Sequence, residues 1–153
     1  MYSRLTFKRF ALIAAAIYNR PVDEVEPEIS RSMAEAALAS PFPGPDEIVL
    51  YPNPVDQAAL CCAAIIRKRP LPHSNKRVGY ECMREMLIWS EDPWPDESAE
   101  DIDEMLDGLA DGTVDDADFV LWARAQVGLA LWRRYQRWRG RYGLGGTWGS
   151  PSP

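Results

Sequence analysis

With 153 residues and 46% apolar side chains, the chain is long enough for one domain around a single core and too apolar for wholesale disorder. Its 23 acidic residues outnumber 17 basic ones, a formal net charge of -6, which makes nucleic acid an unlikely partner, since phosphate contacts need concentrated positive charge. Cys61, Cys62 and Cys82 lie in apolar helical contexts without zinc-ligand spacing, and read as reduced thiols in a cytoplasmic protein.

Thr6 is placed to cap a helix running to Tyr18 and ending near Arg20-Pro21. The apolar run 10–17 follows Arg4, Lys8 and Arg9 and imitates a signal peptide. It is short and lacks a small-residue cleavage site, so a packed first helix is expected. No other run approaches the roughly 20 apolar residues of a membrane span. Residues 22–28 are acidic and proline-punctuated, and read as a loop. A second helix over 28–39 carries Ile29, Met33, Ala36 and Ala37 at helical spacing. Pro41-Phe42-Pro43-Gly44-Pro45 then forbids helix. The strand-like segment 47–51, closed by Pro52 and Pro54, suggests a hairpin arm or an extended flap.

Pro54 suits the first turn of a third helix, whose 58–66 stretch is apolar nearly all round and so belongs at the centre of the fold. A fourth helix, 75–89, presents Val78, Cys82, Met83, Met86, Leu87 and Trp89. The acidic region 91–118 contains a helix over 97–109, and a last helix runs over 116–139. These elements predict an all-α fold: one compact helical domain over residues 1–140 with one short extended flap. Residues 141–153 form a flexible Gly/Ser/Pro-rich tail.

The most informative stretch is Arg69-Pro70-Leu71-Pro72-His73-Ser74-Asn75-Lys76-Arg77, between the third and fourth helices. A loop that opens a helix with Ser-Asn-Lys-Arg offers backbone N–H groups, the positive end of the helix dipole and two cations. Together these make an anion site suited to phosphate. The stretch resembles the signature loop of the Fic/Doc family, His-x-Phe-x-Asp/Glu-Gly/Ala-Asn-Lys/Gly-Arg. Asn75, Lys76 and Arg77 are as the family has them, and Leu71 stands in for the Phe. Arg69 replaces the leading His, His73 the acidic residue and Ser74 the small residue. The likeness to Doc-type, death-on-curing members extends over roughly residues 20–128. Arg20-Pro21-Val22 and Ser32–Ala39 are similar to the subfamily's entry helix, residues 48–51 to its flap, and 107–115 to its last interhelical turn.

The resemblance implies a helical domain that binds a nucleoside triphosphate of ATP type through Ser74, Asn75, Lys76 and Arg77. It implies transfer of a phosphoryl or nucleotidyl group to a hydroxyl of a protein substrate, as in toxin–antitoxin systems. A guanidinium cannot take a proton near neutral pH, so Arg69 in the base position predicts weak, altered or lost transfer. His73 for the acidic residue weakens magnesium binding, because that hard ion prefers oxygen ligands. The chemistry-bearing candidates are therefore Arg69, as a substitute cation or anion binder, and His73, as a displaced base. The alternatives are a pseudoenzyme acting as an interaction or regulatory module, or an enzyme with new chemistry in which Arg69 binds an anionic substrate.

Two further patterns compete. Asp107, Asp111, Gly112, Val114, Asp115 and Asp118 mimic a calcium loop, but Leu109 at position 3 and Asp118 at position 12 break it. An acidic turn capping the last helix through Asp115 or Asp116 is expected, with no metal site. In the last helix Leu121, Trp122, Leu129 and Trp132 are expected to pack on the core, with arginines facing the acidic 91–118 region. Trp138, Tyr142 and Trp148, among arginines, suggest a contact for an antitoxin or for a homo-oligomer. Ser30 and Glu35 are not spaced as the inhibitory Ser/Thr-x-x-x-Glu helix of some Fic proteins.

Overall fold

The computed structural model describes residues 4–48, 50–95 and 99–143. Seven α-helices appear in chain order: α1 (Phe7–Tyr18), α2 (Val22–Val25), α3 (Arg31–Ala39), α4 (Pro54–Lys68), α5 (Asn75–Trp89), α6 (Ala99–Asp111) and α7 (Asp116–Arg141). The fold is all-α, with no strand among the described residues, and no helix there is long and apolar enough to cross a membrane.

Helix α4 is the axis, packing against α3, α5, α6 and α7. Its sequence explains this: small and β-branched side chains from Ala58 to Ile66 let neighbours approach from most directions. The closest approach is α5, where Gly79 faces the Cys62 carbonyl; a Cβ there would lie 3.2 Å from that oxygen. Asn53 caps α4 by accepting from Val55 N at 2.9 Å, and Pro54 occupies the first turn. Asp56, in that same turn, is fully buried. It is held by a two-pronged ion pair from Arg124 on α7, Nε to Oδ1 at 2.6 Å and Nη2 to Oδ2 at 2.5 Å.

Thr6 caps α1 as expected, accepting from Arg9 N at 3.2 Å. Residues 22–28, expected as loop, instead form α2 followed by a 3-10 turn (Glu26–Glu28). Burial of Val25 and Ile29 pulls this segment inward, and prolines are tolerated at helix starts. Helix α3 starts at Arg31 and buries Ala34, Ala37 and Leu38, leaving Met33 and Ala36 outside. Its phase is fixed just upstream, where Ser30 N donates to the Pro70 carbonyl at 2.8 Å.

The described residues of the 47–51 segment, 47, 48, 50 and 51, are irregular rather than strand, with Ile48 83% and Leu50 75% exposed. A strand needs a partner, and the sequence offers no second β-rich segment. Helix α7 is the other correction. It buries Phe119, Val120, Ala123, Val127 and Ala130, with Trp122 half-buried, while Leu121, Leu129 and Trp132 are exposed. Beyond Phe119 the inward stripe, Val120, Ala123, Val127 and Ala130, uses the smaller side chains at three- and four-residue spacing. Helix α7 also runs on through Arg141, into the segment expected as tail; residues 144–153, including Trp148, lie outside the described residues.

Candidate functional site

The turn between α4 and α5 is built from two left-handed residues and a buried hook. Arg69 closes α4 at φ 48°, its N–H donating to the Ile65 carbonyl at 3.1 Å. Ser74 precedes α5 at φ 63°. Such a backbone is strained for any residue with a Cβ, on the order of 1 kcal/mol each, and needs surrounding structure to hold it. Three anchors do so. Leu71 and Pro70 are buried in the core. The Tyr18 hydroxyl donates to the His73 carbonyl at 2.7 Å. Asn75, 7% exposed, folds its carboxamide back on Leu71: Oδ1 accepts from Leu71 N at 3.0 Å, and Nδ2 donates to Leu71 O at 2.9 Å.

This geometry leaves the first turn of α5 uncapped. Ser74 makes no side-chain cap; its Oγ instead meets His73 Nδ1 at 2.9 Å. The first backbone bond of the helix is Val78 N to Ser74 O, so the N–H groups of Asn75, Lys76 and Arg77 have no backbone acceptor among the described residues. They form a cluster of donors at the positive end of a helix of 15 residues, on which Lys76 and Arg77 are exposed and Asn75 buried.

A cleft of about 1430 Å³ opens there. All six residues singled out from the sequence, Arg69, His73, Ser74, Asn75, Lys76 and Arg77, border it. They do not contribute alike. The Asn75 side chain is occupied by the loop and braces it. Lys76 forms an ion pair with Asp107 of α6. Arg69 and Arg77 make no ion pair among the described residues. The His73 ring stacks on Tyr18, centroids 4.3 Å apart at 22°, which fixes its orientation.

The opposite wall comes from α6, through Asp101, Asp103, Asp107 and Asp111. None of these carboxylates is placed at the site by the sequence alone; the signal was Asp103, Asp107 and Asp111 at four-residue spacing, one helix face. Tyr80 and Arg84 of α5 also line the cleft. Burial raises the Tyr80 hydroxyl above its ordinary value, against a hydrogen bond from Trp94 Nε1 at 2.8 Å. Two hydrogen bonds from Thr113 hold the Asp111 carboxyl below its usual range.

No group of three or more His, Cys, Asp or Glu side chains placed to hold a metal ion occurs among the described residues. The calcium-like segment comprises the end of α6, a turn over 112–115 and the start of α7, which Asp115 caps by accepting from Asp118 N at 2.8 Å. Of the α7 arginines expected over the acidic region, Arg124 pairs instead with Asp56 of α4, while Asp116, within that region, pairs with Arg67 of α4.

No protein-family model matches this chain, and no curated protein or solved structure aligns with it significantly.

Proposed function

We propose that the chain is a Fic/Doc-like protein of the Doc type that binds nucleotide phosphates at the start of α5 and transfers a phosphoryl or nucleotidyl group to a protein hydroxyl poorly. The observation that carries this reading is the uncapped first turn of α5, with Lys76 and Arg77 beside it, opening into a cleft large enough for a nucleoside triphosphate. In transfer, the acceptor oxygen would bond to phosphorus as the bond to the leaving phosphate oxygen breaks, and the acceptor proton must go to a base. Arg69 cannot take it. His73, with Nδ1 engaged by Ser74, has only Nε2 to offer. Loss of a placed base removes about 10²- to 10⁴-fold of rate, while positioning and charge stabilisation persist.

A second reading, a regulatory module that binds without turnover, is favoured by the Lys76–Asp107 pair, which already neutralises one of the two cations. Calorimetry with ATP and transfer of label from ATP separate the two. Binding in the sub-millimolar range, weakened about tenfold in Arg77→Ala, supports the phosphate site. Label transfer that rises in Arg69→His supports the disabled transferase; binding without transfer in either protein supports the module. Absence of ATP binding at millimolar concentration ends both.

A further inference from the structure

Helix α7 changes character where it leaves the body. Its buried stripe descends through Val120, Ala123, Val127 and Ala130. The positions that continue this stripe are Arg134, Arg137 and Arg141, so the line that faces inward becomes cationic. Arg133, Arg134 and Arg137 line a groove of about 330 Å³ whose other wall is Pro93, Trp94 and Pro95, and none of the three makes an ion pair among the described residues. Beside the arginines runs an exposed aromatic ladder, Trp132, Tyr135, Trp138 and Tyr142, with successive ring centroids 5.8, 6.2 and 5.4 Å apart. All 23 acidic residues precede Phe119, so the rest of the molecule carries 23 acidic against 11 basic side chains, a net of -12, and this segment carries six arginines and no acid.

We propose that this face docks an acidic segment of another polypeptide, whose carboxylates pair with Arg133, Arg134 and Arg137 and whose apolar side chains lie on the aromatic ladder. Charge selects the occupant. A second copy laid along the same face would set arginine against arginine. A nucleic acid would meet only a short cationic stripe, about 15 Å between Trp132 and Tyr142, before reaching an acidic body that repels it. A short acidic peptide fits both the length and the sign. Arginine and aromatic side chains also dominate the energetics of protein docking sites.

Fluorescence anisotropy with the full chain tests this, using a labelled glutamate–tyrosine copolymer, labelled polyglutamate and a labelled thymidine oligonucleotide. The copolymer should bind best and weaken as salt rises. Binding should fall at least about tenfold in Arg134→Glu/Arg137→Glu and in Trp138→Ala, both at exposed positions. Tighter binding of the oligonucleotide, a dimer in sedimentation that Trp138→Ala dissolves, copolymer binding unchanged in both variants, or no copolymer binding at all would each overturn the proposal.

Discussion

Asn75 is the residue on which the loop between α4 and α5 turns, although its carboxamide is not available to a ligand. By closing both backbone groups of Leu71 it fixes the hook that seats Leu71 in the core, and so the left-handed turn at Ser74. Replacing it with Ala leaves the Leu71 N–H and C=O unpaired at a buried position, a loss of about 2–3 kcal/mol. Urea unfolding of Asn75→Ala should show a lower midpoint at unchanged m, and ATP affinity should fall with it. An unchanged midpoint would mean that the loop is held without this brace. That the six candidate residues would border one cleft was legible in the sequence, because they lie together across one break between helices. The division of labour inside it was not. An Asn that folds back on the loop and one that faces a ligand have the same sequence signature. The partner of Lys76 stands 31 residues away, on a helix whose carboxylates read equally well as solvent-facing.

Among the elements, the α4–α5 contact sets the geometry of the loop between them, and Gly79 sets how close they come. Its would-be Cβ lies 3.2 Å from the Cys62 carbonyl and 3.4 Å from carbons of Ile65 and Ile66. Gly79→Ala gains roughly 1 kcal/mol of helix propensity against a displacement of a few tenths of an ångström, so its stability should stay near that of the parent. Gly79→Val adds branched bulk against backbone and should destabilise by about 2 kcal/mol, roughly 5 °C in Tm by calorimetry. Equal Tm values for the two variants would show that the helices have room to part. Both ends of α4 and the start of α5 were legible because Pro54 and the Pro70–Pro72 break bound them. Helix α7 was misphased because the largest apolar side chains were assigned to the core. Close packing against α4 favours Ala123, Val127 and Ala130 instead, and leaves Leu129 and Trp132 exposed. The 47–51 segment has strand-like composition, but no composition supplies a missing partner strand.

At the scale of the whole molecule, the helical core holds three thiols whose burial couples stability to alkaline pH. Burial pushes Cys61 from an ordinary 9.0 up to about 12, and drives Cys62 and Cys82 well above that ordinary value; burial also raises Tyr18 and Tyr80 above 10.0. All five groups are neutral when protonated, so the folded state keeps its protons to higher pH than the unfolded chain does. Their stabilising effect is complete below about pH 9. It is lost as pH rises through the folded values, because the unfolded chain then binds fewer protons. Each fully buried thiol contributes a slope of about 1.4 kcal/mol per pH unit in that window, so the three together remove roughly 4 kcal/mol over one unit, a large part of a typical folding free energy. Urea midpoints measured under reducing conditions should therefore be nearly level across neutral pH and fall steeply above about pH 9. The fall should flatten in a variant with all three cysteines replaced by Ala, even though its stability at neutral pH is lower. If the alkaline slope persists undiminished in that variant, the thiols are not sealed between α4 and α5, and the tight contact at Gly79 that positions the loop is not as close as 3.2 Å implies.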